Sequence, residues 1–340
     1  MPGKVSYGFL ILLFLISSCS GKKVTMLSLI DEMSSRDQLT YFPEKEYKLV
    51  QSSSYNRASV SREEEGWFAN TDMSHFIRVE EIAGRREFVM LDADGPGAVV
   101  RWWMTFYKAQ NGIIKIYIDH ETEPVIQGAP AQLLSGTLLC GPPLAISLQA
   151  GAPLGEAGRD YDHNLYLPIP FAEHCRITYE CDSLRLLHDY EGISVPEGYY
   201  WPDVFYNICW RSYSEDTQVE SFSMEELADA KSALERTGTL LTGEKVKSDD
   251  TRYCEGLVFP GDSLSINIPG KNSAINNLAV EIEAESMPQA LRSTVLKALF
   301  DGHLTIWTPV GEFFGSGYMP GIHHTWMNQS YGNGKMESFW

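Results

Sequence analysis

Cysteine is scarce in this sequence, and none of it is placed to hold zinc. Six cysteines are present. No two of them form a C-x-x-C pair and no histidine cluster accompanies them, so no metal and no cofactor is expected. His323 and His324 are adjacent and point apart on a strand. Beyond Cys19 near the N-terminus stand Cys140, Cys175, Cys181, Cys209 and Cys254, an odd set at irregular spacing, which argues against a disulfide framework. Cys175 and Cys181 fall on one predicted strand roughly 20 Å apart, where a disulfide spans at most about 7 Å. They share parity with Ile177 and Tyr179 and read as buried apolar residues. Positive charge is also short: Lys and Arg number 27 against 45 Asp and Glu, a formal charge of −18, or −19 once Lys4 is removed with a leader. That balance argues against nucleic acid and anionic lipid headgroups as ligands, although an acidic, well-solvated surface is the simpler cause of the sign. Apolar runs long enough to span a bilayer are missing throughout.

The one apolar run stands at the start. Lys4 precedes the apolar residues 9–16, and Ser17, Ser18 and Cys19 follow. A basic end, a short apolar core and small residues make an export signal. Ile16, Ser17, Ser18 and Cys19 resemble a bacterial lipobox, with Cys19 the lipidated residue; a plain signal peptide is the alternative. The reading is a bacterial cell-envelope protein, held to a membrane by a lipid anchor only, in the periplasm or at the cell surface.

What the chain has in quantity is aromatic residues, 12% with 17 Tyr and 8 Trp, suited to β-sheet and to sugar-facing surfaces alike. At 340 residues it is long enough for two domains. One strand occurs twice: residues 113–119 and 295–301 are apolar runs closed by Asp119 and Asp301, and in that alignment Lys115 falls on Lys297. Ser135 with Gly136, and Ser316 with Gly317, then follow one residue out of step. A shift of 182 residues exceeds any solenoid period and indicates a duplicated domain.

Along the chain, residues 25–36 read as a helix with an apolar stripe at Leu27, Ile30 and Met33. Polar residues 51–57 and 67–72 carry Tyr55, Asn56, Arg57, Trp67 and Asp72, a density that fits an ordered functional loop as well as a surface loop packed on its own aromatics. Strands fill residues 76–119, with Asp92 and Asp94 as turn formers rather than calcium ligands. In the strand over residues 99–106, Val100, Trp102, Met104 and Phe106 share one face, and Val99, Arg101, Trp103 and Thr105 the other. The second face either meets a sugar or is covered by a loop. Asp160 and Asp162 precede a strand over 164–171 whose Pro168 and Pro170 demand an edge or bulge; the two carboxylates either bind sugar hydroxyls or cap a loop. Residues 199–213 give another aromatic strand. Ser223 and Glu226 form a capping box opening a helix that runs to Arg236, stops at Gly238 and bridges the two domains. Strands resume at Gly256 and continue past Ala284, and Glu281, Glu283 and Glu285 then share one strand face. The copy that holds Asp301 is the shorter one, either a fragment or a reduced version.

Taken in order, Leu29 to Met33, Ser53 to Arg57, Trp67 to Asn70, Asp92 to Gly97, Asn164 to Phe171 and Phe300 to Gly315 resemble domain-of-unknown-function family 2961, part of which is classed as glycoside hydrolase family 172. The resemblance implies tandem jelly-roll β-sandwiches assembled as trimers or multiples of them. It implies a retaining furanosidase-type hydrolase that uses two Glu residues. The family's second Glu falls on Glu312, between Gly311 and Phe313, which makes Glu312 the expected acid/base. Its first Glu falls on Val295, and in the first copy on Ile113, neither of which is a nucleophile. Asn56 stands where the family more often has Asp.

The expected architecture is therefore all-β: a signal peptide over 1–18, a tether and helix over 19–44, a first jelly roll over 45–220, a bridging helix and linker over 221–244, and an incomplete second jelly roll over 245–340. The expected sites are Glu312 for catalysis, Arg57, Trp67, Asp160 and Asp162 for substrate, and Cys19 for lipidation. Two functions fit: a glycoside hydrolase acting on a complex glycan, or a non-catalytic carbohydrate-binding or scaffolding lipoprotein. Fold alone does not separate them.

Overall fold

A computed structural model describes residues 23–340 except 36–37, 39–40, 66, 70, 108, 135–137, 149–158, 191–192, 196, 243–250, 271–272, 318–320, 326 and 340. The expected leader and Cys19 lie outside the described residues. No helix among the described residues is long and apolar enough to cross a membrane.

Two antiparallel sheets build the first half of the chain. One runs β1 (Tyr47–Ser53), β15 (Val204–Tyr213), β4 (Gly97–Tyr107), β8 (Arg159–Leu165), β7 (Ala145–Leu148), with the short β9 (Ile169–Phe171) also paired to β4. The other runs β2 (Arg78–Ile82), β3 (Arg85–Asp94), β10 (His174–Glu180), β5 (Ile113–Ile118), β6 (Ile126–Gly128). Two two-residue pairs, β11 (Arg185–Leu186) with β14 (Tyr200–Trp201) and β12 (Asp189–Tyr190) with β13 (Ile193–Ser194), lie in the connection from β10 to β15. The inner faces close on one core that includes Phe88, Met90, Trp102, Met104, Phe106, Ile177 and Tyr206. Helix α2 (Pro130–Leu134) adds Leu133 and Leu134 to it. Each such side chain contributes about 1.5–3 kcal/mol by leaving water. Cys175 and Cys181 are free thiols in this core, as their parity indicates.

The expected alternation of β4 holds from Trp102 onward and fails before it. Arg101 pairs with Cys209 but Val99 pairs with Trp210, so Val100 is an extra, bulged residue. The bulge resets parity. Val99 faces the core at 1% exposure, and Val100 packs on an outer cluster of Val24, Leu29, Ala98 and Tyr213. A second bulge places both Met90 and Leu91 in the core. The Ser52 hydroxyl, from the opposite sheet, donates to the Met90 carbonyl there at 2.6 Å.

Helix α1 (Met26–Ser34) starts at a capping box in which the Thr25 hydroxyl accepts from the Ser28 N–H at 3.1 Å. Its buried stripe is Met26, Leu29 and Ile30, one position round from the expected Leu27, Ile30 and Met33; Leu27 is exposed. Ser223 caps α3 (Met224–Asp229) as expected. The single bridging helix expected up to Gly238 is instead two, α3 and α4 (Lys231–Thr242), and α4 runs through Gly238. A side chain at 238 would meet the Pro143 ring 3.2 Å away. This glycine serves close packing, not termination.

Residues 277–339 carry a smaller β unit. Its four-stranded sheet runs β16 (Asn277–Glu281), β21 (Lys335–Phe339), β20 (Asn328–Tyr331), β19 (Ile322–His324). Helix α5 (Met287–Ser293), the hairpin β17 (Val295–Phe300) with β18 (His303–Pro309), and α6 (Val310–Phe313) complete it around Leu291, Val310, Phe314 and Met336. Strands do not resume at Gly256. Residues 251–270 are exposed throughout and hold no strand. Glu283 and Glu285 lie beyond the end of β16, so the three-carboxylate strand face is not formed, although all three side chains are exposed.

The two Asp-ended strands share a corner conformation but not a place in a sheet: β5 lies between β10 and β6, whereas β17 forms a two-stranded pair with β18. β5 ends in Asp119 and His120 with φ of +51° and +63°; β17 ends in Asp301 and Gly302 with φ of +52° and +84°. Consecutive left-handed residues are the mark of a type I′ corner, where the strands' twist is preserved. Each corner leads to an antiparallel return strand, β6 or β18, and then to a short helix entered by a proline, Pro130 in α2 and Pro309 before α6.

Candidate functional site

At one end of the first sandwich, the described residues between 54 and 75 form a loop over the start of β15. Its ends are stitched to that strand: the Ser54 and Ser74 hydroxyls accept the N–H groups of Tyr206 at 3.2 Å and Val204 at 2.9 Å. Asn56 is buried and organises the interior. Its side chain donates to Thr71 Oγ1 at 2.5 Å and accepts from the Ala58 N–H at 2.9 Å, while its own N–H donates to Asp72 at 3.2 Å. Arg57 stands at the surface over the Tyr55 ring, 5.0 Å from its centroid, and donates to the Ser53 carbonyl at 3.3 Å. Trp67 is exposed against Phe68, with ring centroids 5.6 Å apart. Arg57 and Trp67 thus lie on the same loop, Arg57 against Tyr55 and Trp67 against Phe68.

Behind the loop lies a buried titratable group. The Asp203 carboxyl accepts from the Tyr199 hydroxyl at 2.7 Å, and burial pushes its pKa up against that hydrogen bond. Burial lowers the pKa of His75, whose Nε2 contacts the Thr71 carbonyl at 2.7 Å. Burial also raises the Tyr206 phenol to about 12; its hydroxyl donates to the His75 carbonyl at 2.7 Å.

Asp162 lies exposed on β8, across from Leu148 of β7. Asp160 is on the same strand, opposite Phe106, and its side chain lies outside the described residues.

Glu312 sits on α6, in the second β unit. Gly311 is obligatory there, because a Cβ would collide with the Gly317 carbonyl as the chain doubles back. The Ser316 and Gly317 N–H groups donate to the Gly311 carbonyl at 2.8 and 3.0 Å. His323 Nε2 contacts the Phe314 carbonyl at 2.8 Å and fixes the helix end. Phe314 is buried in the local core and Phe313 is half-buried, so the aromatics turn inward and the Glu312 carboxylate faces solvent. It makes no side-chain hydrogen bond or ion pair among the described residues. Val295, where the resemblance places the first Glu, pairs with Pro309 at the root of α6. The two positions therefore belong to one corner of the unit, with an apolar side chain in one of them.

Sequence reasoning missed the polar network on the outer face of the second sheet. Lys115 bridges Glu87 at 2.5 Å and Glu180 at 2.6 Å. Thr178 and Tyr117 donate to Glu87 as well, at 2.8 and 3.0 Å. Burial pushes the Glu87 carboxyl up, but these donors outweigh it and hold it below its ordinary range. Arg176 covers Tyr117 at 4.2 Å and pairs with Glu80 at 2.6 Å. The signal was available in the shared parity of Lys115 and Tyr117 on a strand otherwise made of isoleucine.

The fold is a two-sheet β-sandwich joined to a smaller β unit that shares one corner conformation with it. The chain belongs to glycoside hydrolase family 172: the model of the GH172 first β-sandwich domain matches residues 45–230. That stretch begins just before β1 and ends at the junction of α3 and α4. No curated protein matches the chain.

Proposed function

We propose that the chain is a furanosidase-type glycoside hydrolase acting on a complex glycan with retention, and that Glu312 is its acid/base. The observation that carries this is the position of Glu312. It is solvent-facing on α6, just beyond the Pro309–Val295 pair, at the place where the family resemblance puts a catalytic Glu. Retention requires a second carboxylate about 5–5.5 Å from the first. With Val295 in the nucleophile's place, that group is Glu281, Glu283 or Glu285, an Asp of the first sandwich, or a residue of a neighbouring copy in a trimer or a multiple of it. We also propose lipid anchoring through Cys19 at the bacterial envelope. A Cys19→Ala protein should be released or left unprocessed; one that is processed normally and stays membrane-bound would reject the anchor.

Glu312→Gln tests the catalytic reading. Turnover of furanosides should fall by orders of magnitude with an unchanged circular dichroism spectrum. Full turnover in that variant removes Glu312 from the mechanism. A non-catalytic carbohydrate-binding role is the second reading, and Val295 is the residue that favours it.

A further inference from the structure

The outer face of the first sheet carries a row of side chains that the hydrolase reading does not use. In register across adjacent strands stand Ser53 of β1, Asn207 of β15, Trp103 of β4 and Asn164 of β8. Trp102 and Met104 point into the core, so Trp103 and its register partners face outward. Strands lie about 4.8 Å apart, so the two amides flank the indole about 10 Å from one another.

The chemistry of the row is specific. Asn207 Oδ1 is already occupied, accepting from Arg101 Nη1 at 3.3 Å and from Cys209 Sγ at 3.2 Å. That fixes the amide and leaves its NH₂ as the free donor. Asn164 is 9% exposed, yet its amide makes no hydrogen bond among the described residues. Trp103 is half-buried on this face. The indole face is electron-rich and apolar and matches the weakly positive C–H face of a pyranose or furanose ring. The partly exposed Asn207 amide beside the indole is placed for the ring's hydroxyls.

Charge selects the occupant. The row itself is neutral; Arg101 beside it is engaged by Asn207, and Arg57 at its Ser53 end donates to the carbonyls of Ser53 and Tyr55. An acidic polymer would meet a chain of net charge −18 and no free cation in the row. A neutral, hydroxyl-rich ligand meets no such penalty. The row also runs between the binding residues expected from the sequence. Arg57 is anchored on the carbonyl of Ser53 at one end, and Asp162 lies two residues from Asn164 at the other.

We propose that this face is a binding platform for a neutral oligosaccharide, centred on Trp103 and distinct from the α6 corner. It rests on the carbohydrate reading of the chain but not on Glu312. The test uses the full chain carrying Glu312→Gln, so that glycan is not consumed, in affinity electrophoresis and calorimetry with arabinan, levan and xylan, and with polygalacturonate as the anionic control. At least one neutral glycan should bind. Adding Trp103→Ala should weaken that binding at least tenfold, and adding Asn207→Leu, which keeps the side-chain volume, should do the same. Unchanged affinity in folded variants, binding of polygalacturonate alone, or no neutral glycan bound would each overturn the platform. Residual turnover in Glu312→Gln bears on the hydrolase reading only, so the two failures are read separately.

Discussion

Asp119 and Asp301 hold the same left-handed backbone, φ +51° and +52°, at the corner of two similar strand–turn–strand–helix units, but only one of them ties its corner to the rest of the sandwich. The Asp119 carboxylate accepts the N–H of Glu173 at 2.7 Å and of His174 at 3.1 Å, together with the Ser221 hydroxyl. Asp301 is exposed.

Asp119→Ala therefore leaves two backbone donors without their acceptor and should cost about 2–4 kcal/mol. Asp301→Ala loses only the ease with which Asp adopts the left-handed region, about 1 kcal/mol. Urea unfolding of the two variants measures the difference; equal losses would show that the Asp119 contacts contribute nothing.

Lys115→Met strands Glu87 and Glu180 on the outer face of the second sheet. Removing one member of a buried ion cluster typically costs about 3–5 kcal/mol. Lys297, its counterpart in the repeat, faces Trp307 at 6.0 Å on an exposed hairpin, and Lys297→Met should cost less than about 1 kcal/mol. Thermal melts that rank the two variants the other way would refute the assignment.

Asp203 sets a pH dependence. Its folded pKa lies above the ordinary 3.8 because of burial, so the folded state binds its proton more tightly than the unfolded chain does. Its penalty is absent below about pH 3.8 and grows as pH rises through the folded pKa. Asp203→Asn keeps an acceptor for Tyr199 and removes the titration. The variant should gain Tm relative to the parent at pH 7 and not at pH 3. A gain of the same size at both pH values would contradict it.

Val295→Glu places a carboxylate opposite Pro309, beside the α6 root. Val295 is 44% exposed, so the charge is tolerated there. With the second carboxylate already supplied by another residue, this added group should leave furanoside turnover within about twofold of the parent. A rise of tenfold or more that Glu312→Gln abolishes would show position 295 to be the vacant nucleophile site and overturn that supply.

Much of the sandwich was legible because half-buried strands write their burial as alternation, as in Cys175, Ile177 and Tyr179. The failures have local causes. Val99 and Val100 exchange faces because a bulge is a pairing property, invisible in either strand alone. Helix α1 turns by one position because Met26, immediately after the Thr25 cap, is drawn into the core. Gly238 looks like a stop but answers to Pro143 across the packing. The strands expected from Gly256 fail because apolar residues there, such as Leu257 and Ile266, stay exposed without a partner strand. At the candidate site, the Asp-Gly corner and Glu312 could be placed from the sequence, whereas the solvent-facing pose of Glu312 depends on which way Phe313 and Phe314 turn.

The bulge at Val100 divides β4 into two stretches that are out of phase. Residues before it place Val99 inward, and residues after it place Trp102 inward and Trp103 outward. The aromatic on the outer face is thus indexed by a count, not by its own preference. Losing one residue at this point would force one stretch to invert, sending either Val99 and Ala98 or Trp102 and Trp103 to the opposite side. A one-residue deletion at 100 should therefore injure the sandwich more than any substitution there, and homologous chains that lack the bulge should carry their outward aromatic one position away.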